Sequence, residues 1–147
     1  MPADALAAWL DYSNDEYVRE RIEAGDSPED ARERATQSNA EYFPGGLPAE
    51  GQHVYQVIDG DEVVGVLWIG PFSLARPHEW WVFDIEIDEA RRGEGYGRAT
   101  MLLAEEEARR LGATKLGLNV FGHNTVAHSL YTSLGYQATA INMAKAL

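Results

Sequence analysis

Three groups of residues in this chain have the types and spacing to do chemistry. The first is a pair of carboxylates, Asp84 and Glu86, inside the apolar run from Trp80 to Ile87. In an extended strand, alternation puts both carboxylates on one face and Ile85 and Ile87 on the other. Two carboxylates within a sheet are costly unless they line a wet or functional site. Glu86 is therefore a candidate base or anchor for a cation, with Asp84 as the alternative and a plain ion pair with a nearby arginine as the structural reading. The second group is RRGEGYGRATM, Arg91 to Met101, where Gly93, Gly95 and Gly97 alternate with charged and aromatic residues. Glycine at that density costs backbone entropy. Between a strand and a helix, bare N–H groups and the positive helix end suit an anion such as phosphate. A Walker loop would end in Gly-Lys-Ser/Thr, but Arg98 and Ala99 follow Gly97. A dinucleotide loop would need Gly-x-Gly-x-x-Gly and an acid about twenty residues on; that region offers Gly117 and Asn119. The third group is Asn124 and Tyr131, two helical turns apart and so on one face, with Val126, Leu130 and Leu134 on a separate core stripe. Tyr131 alone reads more readily as a packed aromatic.

His123 and His128 share no helical face and no thiol or carboxylate joins them, so no metal site is expected. Trp68, Trp80 and Trp81 read as core or pocket wall, because no basic groove accompanies them. The chain has 147 residues, 45% hydrophobic, with no cysteine and a formal net charge of −12. That length and composition predict one globular domain. The acidity disfavours nucleic-acid and anionic-membrane partners and is compatible with a cationic substrate. Lack of cysteine removes disulfides and a covalent thiol mechanism. With neither a signal-like nor a spanning apolar run, a soluble cytoplasmic protein is expected.

The elements that must hold these groups can be read along the chain. Helical sequence runs from Ala3 to about Ala24, with Gly25 as a stop. Ser27 as N-cap and Pro28 in the first helical position restart a helix to about Asn39. Phe43 to Gly51 is a Pro- and Gly-rich loop over a site edge. Strands follow at His53 to Ile58 and Glu62 to Gly70, turned by Asp59 to Asp61, and at Trp80 to Ile87. Behind the glycine loop, Gly97, Met101, Ala104, Ala108 and Leu111 form a helical seam that Gly112 closes. A strand at Lys115 to Phe121, a helix from about Thr125 to Leu134 and a last strand at Tyr136 to Lys145 complete a mixed sheet with helices on its faces.

Two blocks in this order resemble the GNAT superfamily of acyl-CoA-dependent N-acetyltransferases. Arg92, Gly95 and Gly97 match its Arg/Gln-x-x-Gly-x-Gly/Ala loop. Asn124, Ala127, Leu130, Tyr131, Leu134, Gly135 and Tyr136 match its second block, so the resemblance covers roughly Glu62 to the C-terminus. It implies an α/β GNAT-type fold, with a mostly antiparallel twisted sheet splayed at the cofactor site and flanked by helices. Residues 1–147 would be one domain, with 1–51 as a helical acceptor side and 52–147 as the acetyl-CoA-binding core. It implies direct acetyl transfer from acetyl-CoA to a primary amine of a small molecule. Protein or peptide acetylation and a non-catalytic acyl-CoA-binding module are the alternatives. Backbone groups of Ile85 and Ile87 would hold the pantetheine arm, with Asn124 as a further contact. Arg92, Gly93, Glu94, Gly95, Tyr96, Gly97 and Arg98 would wrap the pyrophosphate. Tyr131 would protonate the leaving thiolate, and Glu86 would serve as base. A homodimer is compatible with the family. Asn119 stands where relatives acting on protein N-termini often carry a glutamate, which argues against such a substrate. Helix-like sequence begins almost at Met1, so the strand that usually opens the fold is either missing or lies upstream.

Overall fold

The computed structural model describes residues 1–147. Helix α1 spans Ala3–Glu23 and α2 spans Pro28–Tyr42. The Ser27 hydroxyl accepts from the Asp30 N–H at 3.1 Å, and Pro28 opens α2, as the capping pattern predicts. Ala31 and Ala35 are buried, and small side chains there let the two helices lie close, bridged by Asn39 Nδ2 donating to Asn14 Oδ1 at 2.8 Å. No strand precedes α1 within residues 1–147; the Met1 ammonium instead donates to Val54 O at 3.0 Å.

Strands β1 (His53–Asp59), β2 (Glu62–Pro71), β3 (Glu79–Ile87) and β4 (Lys115–Leu118) form one sheet in the order β1-β2-β3-β4. The first three are antiparallel neighbours and β4 is parallel to β3. A parallel neighbour needs a crossover, supplied by α3 (Tyr96–Arg110), and α4 (Thr125–Ser133) follows β4. On one face of the sheet Leu67, Ile69, Trp80 and Val82 bury Met101, Ala104 and Ala108 of α3, the seam expected from their spacing. On the other face Val54 and Trp68 pack with Leu6 and Trp9 of α1 and with Phe43.

Two departures from the sequence reading concern the C-terminal third. Strand β4 stops at Leu118 rather than Phe121, because β3 offers it partners only from Glu79 to Val82. The segment Tyr136 to Lys145 is not a strand. Gly135 exits α4 at φ 94° and the Tyr136 N–H closes on Tyr131 O, which sends the chain along the far wall of a groove instead of along β4. No backbone group beyond Tyr136 then finds a partner.

Candidate active site

A kink in β3 decides which way the carboxylates point. Asp84 pairs with Trp68 and Val82 with Ile69, so Phe83 is an extra residue without an opposite number. This bulge puts Phe83 and Asp84 on the α1 side together, where unbroken alternation would have turned Asp84 into the α3 core. Asp84 and Glu86 thus face α1, while Ile85 packs on the α3 side as the alternation predicts. Beyond Val82, β3 also loses β4 as a neighbour, so the sheet opens there.

The two carboxylates sit in different settings. Glu86 is partly exposed: Tyr12 of α1 donates to its Oε1 at 2.7 Å, and the Arg92 guanidinium lies 3.7 Å away. That hydrogen bond and burial hold the Tyr12 phenol up at about 12. Asp84 is set deeper, though solvent still reaches it, and no cation pairs with it. Burial first, then Glu86 and Glu20, push its carboxyl up to about 6. The buried Trp9 indole N–H faces it without achieving hydrogen-bond geometry, and is otherwise unpartnered. Glu20 of α1 is itself raised by burial and by Glu16, with His123 acting the other way. His123 lies 3.6 Å from Glu23.

Tyr131 is half-buried on α4, edge-on to Tyr136, and its hydroxyl has no hydrogen-bond partner. Burial, then the charges of Asp84 and Glu20, push the phenol up, so it keeps its proton at neutral pH. Asn124 has a structural duty: its Oδ1 accepts from the Ala127 N–H at 3.1 Å and caps α4. That leaves its Nδ2 donors free.

The glycine loop presents bare backbone. Gly93 and Gly95 have φ of 79° and 89°, left-handed values that other residues resist, and Gly95 is the N-cap of α3. None of the six consecutive amides from Gly93 to Arg98 finds an acceptor in the chain. Three of them form the first turn of α3, where the helix dipole adds positive potential. The arginines divide their roles. Arg91 is held by Glu62 and Glu94 and stacks over Tyr96, whose hydroxyl reaches Asp59. Arg92 donates from Nε to Ile87 O at 2.9 Å with its far end exposed, and Arg98 donates to Ser133 Oγ, tying α3 to α4. A run of free amides with two arginines fits a pyrophosphate well.

The structure brings Arg92 to both Glu86 and the Ile87 carbonyl, packs Ile85 and Tyr131 against one apolar cluster, and sets Tyr131 within reach of the charges of Asp84 and Glu20. Sequence reasoning missed Trp9, Tyr12 and Glu20. Their signal was the spacing along α1, which puts these three on the side of that helix turned to β3.

The model of the Acetyltransferase (GNAT) family matches residues 7–136. The chain is 32% identical to YycN of Bacillus subtilis, named an uncharacterized N-acetyltransferase, over all of this chain and 96% of that protein. It is 30% identical to YdgE of the same organism, likewise named an uncharacterized N-acetyltransferase, over all of this chain and 95% of YdgE. The crystal structure of YycN superposes with a TM-score of 0.89, covering 100% of this chain and 95% of YycN. An acetyltransferase from Bacillus subtilis solved in complex with CoA matches 73% of this chain and 64% of its own at 25% identity and a TM-score of 0.60. With the fold, the loop and a family match over nearly the whole length in agreement, the chain belongs to the GNAT family of acetyltransferases.

Proposed function

We propose that this enzyme moves an acetyl group from acetyl-CoA directly to a primary amine of a small molecule, through a ternary complex. The observation that carries the proposal is a strand that holds an unpaired, deep-set Asp84 in reach of a protonated Tyr131 where β3 and β4 part, and that leads into a cradle of six free amides. Acetyl-CoA, when bound, supplies the activated acyl group and a thiol leaving group. The amides from Gly93 to Arg98, with Arg92 and Arg98, hold its pyrophosphate. The free edge of β3 at Ile85 and Ile87 and the Asn124 amide hold the pantetheine arm, and a β3 N–H polarises the thioester carbonyl.

An amine arrives largely as an ammonium and must lose a proton before its lone pair can form the C–N bond. Asp84 takes that proton. Its carboxyl, raised to about 6, is ionised at neutral pH yet basic enough to accept. This moves the base from Glu86, the first expectation, to its neighbour. Glu86 is occupied by Tyr12 and Arg92 and serves as an electrostatic anchor for the cation. As the C–S bond breaks, the Tyr131 hydroxyl gives its proton to sulfur, and the second proton shed by the newly bonded nitrogen restores the phenol. Residues 1–51 wall the acceptor side, where Tyr12, Glu16 and Glu20 of α1 favour a cationic guest over a neutral one. No helix is long and apolar enough to cross a membrane, and a cytoplasmic location belongs to the same proposal.

A coenzyme A release assay across polyamines, aminoglycosides, amino acids and peptides tests this reading. Turnover is expected on free small amines. Turnover on peptides alone would replace the acceptor class, and tight acetyl-CoA binding without turnover on any amine would make the chain a binding module.

A further inference from the structure

The glycine loop keeps its shape with little packing of its own. A Cβ placed on Gly93 or Gly95 would meet nothing within 4 Å, and the amides from Gly93 to Arg98 find no acceptor in the chain. Both glycines sit at left-handed φ, and glycine has the widest backbone freedom of any residue. A loop of this kind, left to itself, samples many shapes, and each shape lost on binding an anion weakens that binding. What fixes it must act from its ends.

Both ends are held by one turn. Arg91, before the loop, donates to Glu62, lies 3.8 Å from Asp59, and donates at 3.2 Å to Glu94 within the loop. Tyr96, behind the second glycine, donates its hydroxyl to Asp59 and accepts from Arg91, whose guanidinium lies 4.9 Å over its ring. Asp59 ends β1 and Glu62 opens β2, paired across the turn between them. These two contacts reach back 29 and 37 residues along the chain.

The core does not need this arrangement. Ile58 and Val63, which flank the turn, are 58% and 41% exposed, and no residue of the turn belongs to either apolar cluster. Simple electrostatics opposes it as well. Three carboxylates around one guanidinium leave the group net negative, next to amides suited to an anion. Acid in that place is useful where it fixes Arg91 and Tyr96, not where it meets the ligand.

We propose, building on the reading of this loop as the pyrophosphate site, that Asp59 and Glu62 are positioning residues for the cofactor. By clamping Arg91 and Tyr96 they hold the glycine loop in its anion-binding shape before acetyl-CoA arrives. Neither carboxylate meets the cofactor, and both act through the ends of the loop. Arg91 also offsets the charge of Glu94, the one acid inside the loop.

The double variant Asp59→Asn/Glu62→Gln separates clamping from plain electrostatics, because the two predict opposite signs. Charge alone would tighten acetyl-CoA binding, since two negative charges near a polyanion are removed. The clamp predicts that the acetyl-CoA Kd, measured by calorimetry, rises about 3–10-fold. KM for acetyl-CoA rises with it, and kcat at saturation holds. In the free protein, ¹⁵N order parameters at Gly93 and Gly95 are expected to fall from about 0.85 to below about 0.6. Those at Val66 and Leu67 stay high, which shows the sheet intact. Tyr96→Phe removes one hydroxyl and no charge, and shifts binding in the same direction by less. Unchanged or tighter binding in the double variant overturns the proposal. So does weaker binding with unaltered order parameters, because the loop would then not be the route. A wild type that binds no acetyl-CoA also overturns it, together with the pyrophosphate reading, and shows this before any variant is made.

Discussion

The two faces of the sheet do opposite jobs with similar materials. On the α3 face, Met101 and Ile69 have no exposure and pack in one apolar cluster with Leu67, Trp80, Val82, Ala104 and Ala108. On the α1 face, the cluster of Trp9, Trp68 and Phe43 is as aromatic as any core, yet it borders Asp84, Glu86 and Glu20. A dry face gains free energy with each methylene buried. A face that must hold an ionised carboxylate gives some of that up, and burial together with Glu86 and Glu20 raises Asp84 accordingly. The densest apolar packing lies on one side of the four-stranded sheet, and the two carboxylates given chemical roles face the other.

The contrast can be broken at its chemical end first. Asp84→Asn keeps shape and removes the proton acceptor, so kcat should fall by about 10²–10⁴-fold with acetyl-CoA affinity unchanged. In wild type, kcat/KM should fall as pH drops through about 6, as Asp84 takes up its proton. The variant should lack that limb, and a profile with the limb intact would return the base to Glu86. Tyr131→Phe should likewise lower kcat by at least about 10²-fold and spare the acetyl-CoA Kd, measured by single-turnover thiol release and calorimetry.

At the dry face, Met101→Ala should cost about 2–5 kcal/mol in denaturant unfolding, because Ala104 and Ala108 are too small to fill the gap. Asp84→Asn should do the reverse. The folded carboxyl titrates at about 6 and the free one near 3.8, so the native state binds the extra proton between those values. Stability therefore falls as pH rises from about 4 to about 6. Removing the charge should restore up to about 3 kcal/mol at neutral pH, read as a higher Tm that vanishes near pH 4. A loss of stability at pH 7 would mean that Asp84 is paired rather than strained. The smallest effect belongs to Tyr12→Phe, which frees Glu86 from its 2.7 Å hydrogen bond. KM for the amine should change a few-fold, with a stability loss of about 1 kcal/mol or less.

Legibility in the sequence followed the same division. The α3 seam, the Ser27 cap and the bare backbone of the glycine loop are local patterns, and the structure reproduces each. The pairing of Asp84 with Glu86 on one face was also local, but which face of the sheet the pair takes was not. That depended on the extra residue Phe83, which only the register against Trp68 reveals. Trp9, Tyr12 and Glu20 looked like ordinary members of an acidic helix until α1 was laid across β3. The tail failed in a different way. Its alternation reads as a strand, but a strand is a relation between two segments, and this chain leaves its own groove between them.

Sequence alone thus determined the glycine loop with its free amides, the helix carrying Tyr131 and the family, because dihedral preference and helical spacing act within a few neighbouring residues. The tertiary structure alone decided that Asp84 is unpaired and raised, that Glu86 is held by Tyr12 and Arg92, and that β4 ends as an open edge. Desolvation and charge–charge coupling depend on what lies across a gap, and the residues on either side of these gaps are far apart in the chain.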